Sequence, residues 1–97
     1  MSSEAIGHVF RHAEYSGAQL AILLAIADSA NDQNHNEIWM AVGTLAVKAR
    51  VNRDTARRAL ATFVQDGWLE LLAVGGGRGN STRYRFQFVE RAVVYNT

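Results

Sequence analysis

The chain has neither cysteine nor proline. Without cysteine there is no disulfide framework, no thiol nucleophile and no zinc site built on sulfur, and a reducing compartment is open to it. Without proline there is no Pro-rich linker to divide it. Its longest apolar run, residues 20–27, is eight residues, far short of the roughly 20 that span a bilayer. The start, Met1-Ser2-Ser3-Glu4, lacks a basic stretch followed by an apolar one, so no signal peptide is read and a cytoplasmic location is expected. What remains is a chain of 97 residues, 48% hydrophobic and 20% charged. That is globular composition, with room for one modest core and hence a single domain over 1–97.

A net charge of +1 conceals a division. Residues 1–47 carry one arginine against five carboxylates, a balance of −4, and residues 48–97 carry nine cations against four carboxylates, a balance of +5. Five of those cations fall between Lys48 and Arg58. A basic face on an otherwise neutral domain is a candidate polyanion surface.

Residues 1–16 show no clean period. From Ser16 or Gly17, Leu20, Leu23, Leu24 and Ala27 recur at helical spacing, with Ile22, Ala25, Ile26 and Ser29 on the adjacent face. The spacing predicts a helix that is apolar almost all round and covered on more than one side. The polar stretch 31–36 reads as a loop, and Glu37-Ile38-Trp39-Met40 as a short strand. Val42, Leu45, Ala46 and Ala49 predict a second helix, and Arg50-Val51 a tight connection. Asn52 is a good N-cap for a third helix running from 53 to about 66, with Ala56, Leu60, Phe63 and Val64 inward and Gly67 as its left-handed stop. Beyond Gly67 the period becomes two. Leu69 and Leu71 alternate with Trp68, Glu70 and Leu72, and Tyr84, Phe86 and Phe88 alternate with Arg83, Arg85 and Gln87. These are two strands of a hairpin with a glycine-rich tip at 75–81.

The ordered set Leu45-Ala46, Val51-Asn52-Arg53, Thr55-Ala56-Arg57, Ala59-Leu60 and Gly67-x-Leu69 resembles the pattern of bacterial winged-helix regulators of the GntR and related types. It is also similar to the helix-turn-helix domains of phage and plasmid replication proteins. In those an apolar first helix ends in an Ala-Asp-x-Ala-Asn-like segment before a conspicuous tryptophan; here the segment is Ala27-Asp28-Ser29-Ala30-Asn31 and the tryptophan Trp39. The resemblance covers about residues 16–88, with arms on either side. It implies an α+β fold, a winged helix-turn-helix in which a three-helix core is followed by a β-hairpin wing. It further implies a sequence-specific double-stranded DNA-binding protein of the prokaryotic cytoplasm or nucleoid, a small transcriptional regulator such as a repressor. A phage or plasmid replication, partition or excision factor is the alternative, and a winged-helix protein-interaction module a further one. Three positions depart from the pattern. Arg50 stands where glycine usually begins the turn, Met40-Ala41 where a small polar residue precedes the second helix, and Ala56 where valine is usual.

The residues agree with that reading. One α-helix fits the major groove, and the N-terminal end of the recognition helix reads base edges. With Ala56, Leu60 and Phe63 inward, Arg53, Asp54, Arg57 and Arg58 face outward there. Arg53 and Arg57 are expected on bases. Lys48, Arg50, Thr55 and Arg58 are expected on phosphates, with Asn52 beside them at the cap. Asp54 should repel phosphate, so it either accepts from a cytosine amino group or orients an arginine. At the wing tip Arg78 is expected in the minor groove, with Asn80, Ser81 and Arg83 on the backbone. An apolar or acidic third helix would have favoured a protein partner; this one is arginine-rich.

No other chemistry is read. His8 and His12, four residues apart, form a surface pair without a third ligand, so no metal site is expected. No nucleophile stands in register with a base, so no enzyme is expected. No cofactor and no small-molecule effector domain fit the chain. Ile22 and Ile26, apolar and outside the main stripe, predict a homodimer interface enlarged by Val93, Val94 and Tyr95 in the C-terminal arm, the alternative being that residues 1–15 of the same chain cover them.

Overall fold

A computed structural model describes residues 3–30, 33, 35–75 and 82–89. Among them the chain forms an α+β fold of four helices and one three-stranded antiparallel sheet. The order is α1 (Ser3–His12), α2 (Gly17–Ser29), β1 (Glu37–Met40), α3 (Val42–Ala49), α4 (Arg53–Gln65), β2 (Leu69–Ala73) and β3 (Thr82–Phe86). The sheet runs β1-β3-β2, so the last strand inserts between the hairpin partner that precedes it and the isolated β1. Glu37 lies opposite Arg85 and Trp39 opposite Arg83, while Leu69 lies opposite Phe86.

Helix α2 is the centre of the molecule. It packs against α1, α3 and α4, and Ile22, Leu23, Ala25, Ile26 and Ala27 are all buried. This overturns one expectation. Ile22 and Ile26 are 0% and 1% exposed within a single chain, so they cannot form the dimer interface predicted for them. The cover is intramolecular, and α1, which buries Ala5, His8 and Val9 in the same core as α2, supplies part of it. Residues 1–16 read as aperiodic, yet Ala5, Ile6 and Val9 stand at helical spacing in α1 and lie in or against the core. The stripe is short, holds the polar His8, and leaves the large apolar Phe10 exposed. Val93, Val94 and Tyr95 lie outside the described residues.

His8 is a second correction. It is no surface residue but 7% exposed. A ring nitrogen, Nε2, lies 2.6 Å from the carbonyl oxygen of Val89, and the ring makes T-shaped contacts with Trp68 and Phe88 and a tilted one with His12. The aromatic seam joins α1 to the chain leaving β3. Among the described residues no group of His, Asp or Glu could hold a metal ion, and no helix is long and apolar enough to cross a membrane.

Helices α3 and α4 end in the same way. Val51 N–H donates to the Ala46 carbonyl at 3.0 Å and Arg50 N–H to that of Val47 at 3.3 Å, while Trp68 N–H donates to Phe63 at 2.9 Å and Gly67 N–H to Val64 at 3.2 Å. Each is a Schellman closure, with the left-handed position taken by Arg50 in one and Gly67 in the other. The second closure also corrects the strand pattern. Trp68 is buried together with Leu69, because it belongs to the cap of α4 and alternation starts only after it. An irregularity between Leu71 and Ala73 leaves Leu71 45% exposed, although the alternation places it inward with Leu69.

Candidate nucleic-acid interface

The α3–α4 corner is built by local chemistry. After the left-handed Arg50 the chain turns sharply, and Asn52 caps α4 by accepting the Thr55 N–H on its side chain at 2.7 Å. Ala56, Ala59, Leu60 and Phe63 then fix one face of α4 in the core. The opposite face of its first two turns presents Arg53, Arg57 and Arg58 to solvent. The Arg57 and Arg58 side chains are 70% and 76% exposed. Between them sits Asp54, half-exposed, its Oδ1 accepting from Arg57 and its Oδ2 from Nε of Arg58 at 2.8 Å and from Nη2 of the same guanidinium. The hydrogen bond from Arg58, reinforced by the charges of both arginines, holds the Asp54 carboxyl below its ordinary value.

Two open clefts flank the start of α4. One, about 660 Å³, is lined by Ala41, Gly43, Thr44, Val47, Lys48 and Arg53. The other, about 310 Å³, is lined by Val42, Arg53, Asp54 and Arg57. Arg53 belongs to both. Gly43, Thr44 and Val47 did not figure among the residues expected at the site. They were readable nonetheless, since Leu45 and Ala46 inward put 43, 44 and 47 on the outer side of α3. Ala41, at the head of α3, makes no side-chain cap, in keeping with the missing hydroxyl noted in the sequence.

The remaining expected residues are placed as follows. Lys48 lies 3.0 Å from an Asp28 carboxylate oxygen and donates to the Ser29 hydroxyl at 2.9 Å, tying α3 to the end of α2. The hydrogen bond from Lys48 to the Asp28 carboxylate, with the charge of Lys48, lowers the Asp28 pKa. The Arg50 guanidinium folds back to donate to the carbonyls of Val47 and Lys48 at 3.1 and 3.0 Å. Thr55 is half-buried beside Arg58 and Thr62 in a cleft toward α2. Arg83 stands on the outer face of the sheet, its Nε 3.4 Å from Glu37. That nitrogen is buried without a hydrogen bond, so the contact is an ion pair only. Arg85 bridges Glu70 at 2.9 Å and Glu37 at 3.9 Å on the same face. Arg83 is thus part of a sheet lattice of ion pairs rather than a neighbour of the α4 arginines in any contact described. Arg78, Asn80 and Ser81 lie outside the described residues.

No family model matches the chain, and no solved structure matches it. It is similar to Protein YmfN of Escherichia coli (strain K12), with 32% identity over 84 residues. The aligned stretch takes in 84% of this chain and 18% of that protein. The chain therefore spans less than a fifth of its relative's length.

Proposed function

We propose that the chain is a winged helix-turn-helix protein that binds double-stranded DNA sequence-specifically and serves as a small transcriptional regulator. In this reading α2, α3 and α4 are the three-helix core, α4 enters the major groove, and the β2–β3 hairpin is the wing lying on the minor groove or the backbone. The observation that carries it is the composition of α4: one face locked into the core, the other presenting Arg53, Arg57 and Arg58 over its first two turns. Arginine chelates O6 and N7 of guanine, the commonest specific contact in the major groove. The order helix, strand, helix, helix, strand, strand and the sharp α3–α4 corner support the same reading, as does the +5 balance of residues 48–97.

Selection of bound duplexes from a random-sequence pool, followed by titration across salt concentrations, tests it. Recovery of a recurrent motif, bound at least about a thousandfold more tightly than random duplex, supports the reading. Mapping that motif to promoters identifies transcriptional control. Failure to retain duplex DNA at low salt overturns the reading.

A further inference from the structure

Helix α4 carries one acid among its exposed bases, at the place where a phosphate-binding surface gains least from it. We propose that Asp54 is the positioning residue of this face: its carboxylate clamps Arg57 and Arg58 and withholds them from indiscriminate phosphate contact, so that a base edge rather than the backbone releases them. This rests on the reading of α4 as the DNA-facing helix.

The geometry carries the argument. Both oxygens of Asp54 are engaged, one by each arginine, so a single carboxylate sets the direction of two guanidinium planes. The spacings, i+3 and i+4, are those at which side chains on one helix face meet. Asp54 lies in the first turn of α4, where the helix dipole favours a negative charge, and the hydrogen bond from Arg58, with the charges of Arg58 and Arg57, lowers its pKa. The strength of the clamp suits the task. An exposed ion pair is weak, so a neutral guanine edge, which offers O6 and N7 together, can displace it without meeting the charge of the carboxylate. The carboxylate also repels any phosphate brought to the same spot. Arg53, with no ion pair to Asp54 among those described, remains available for first encounter.

The test compares the parent with Asp54→Asn and Asp54→Glu on random-sequence duplex and on the duplex recovered by selection, across a range of salt. Asp54→Asn keeps the shape and removes the charge. It is expected to bind random duplex about fivefold to tenfold more tightly near 0.1 M salt, with a log–log salt slope steeper by about 0.9, the signature of one more neutralised phosphate. Its preference for the selected sequence should shrink accordingly. Asp54→Glu still reaches both arginines and should keep the parent's slope and preference. Thermal melts of all three establish that each is folded. If Asp54→Asn leaves random-duplex affinity and slope unchanged, the clamp is refuted. If it loses discrimination at one base pair with random binding unaltered, the carboxylate contacts that base itself, and the clamp is again refuted. A parent that binds neither duplex fails differently, since it removes the DNA reading of α4 altogether.

Discussion

Arg50 holds a left-handed backbone at φ 63°, ψ 41°, a conformation that costs an L-residue with a side chain about 1–2 kcal/mol. Its guanidinium offsets part of that by capping two carbonyls at the end of α3. Gly67, at φ 88° in the equivalent closure of α4, carries no such strain. Arg50→Gly relieves that strain while giving up the two exposed hydrogen bonds, and should stabilise the fold by at most about 1 kcal/mol, raising the melting temperature by no more than roughly 4–8 °C. Arg50→Ala, which keeps the strain and loses both hydrogen bonds, should lower it. Urea titrations of the three proteins check the order, and a glycine variant no more stable than the parent would contradict it. The Asp28–Lys48 pair gives a pH dependence at the same scale. Asp28 has a lower pKa folded than unfolded, so its contribution is complete above the ordinary carboxylate range and disappears as pH falls through the depressed folded value. Both partners are more than a third exposed, which limits the effect to under about 1 kcal/mol. Lys48→Ala should thus melt slightly below the parent at pH 7, with the gap closing as pH drops from about 4 toward 2. A gap that persists in acid would assign the loss to packing of the lysine stem instead.

At the scale of the element, α4 divides its labour by face. Ala56, Ala59, Leu60 and Phe63 hold it in place, and the exposed arginines are free to be replaced without disturbing that core. Arg53→Ala and Arg57→Ala are each expected to weaken binding to a selected duplex by roughly 1–3 kcal/mol and to relax preference at one base position. Arg85→Ala, which removes an ion pair to Glu70 on the outer face of the sheet, should change binding little. Fluorescence-anisotropy titrations with the selected duplex and its single-base variants check this. Arginine variants of α4 that bind as the parent does would mean that another element reads the DNA. Both helices of the corner were legible in the sequence, because apolar residues recur at helical spacing in each and Asn52 and Gly67 mark the two ends of α4. Helix α1 was not read, since its stripe of Ala5, Ile6 and Val9 is short and holds the polar His8, while its largest apolar residue, Phe10, stays exposed.

At the scale of the molecule, α2 binds the rest together, and this reverses the meaning of its second apolar face. Ile22→Glu with Ile26→Glu would place two carboxylates among core residues with no cation described beside them, a cost that exceeds a large part of the stability of a small domain, about 5–15 kcal/mol. The double variant should lose its cooperative thermal transition, followed by circular dichroism. A folded double variant would mean that the two positions lie at a surface after all.

The amino-acid sequence by itself determined the local rules: where α2, α3 and α4 run, which residues cap and stop α4, where the period changes to strand, and which side of α4 is basic. These follow from spacing and cap chemistry within a few residues. Only the tertiary structure decided which partners from other segments the side chains take. It placed Lys48 on Asp28 and put Arg83 into the ion pairs of the sheet. It also turned Ile22, Ile26 and His8 from surface into core. The physical reason is range. Periodicity is a property of one segment, whereas burial and ion pairing between segments depend on which other segment arrives opposite, and for α2 that segment includes α1, a short helix with the polar His8 on its inward face.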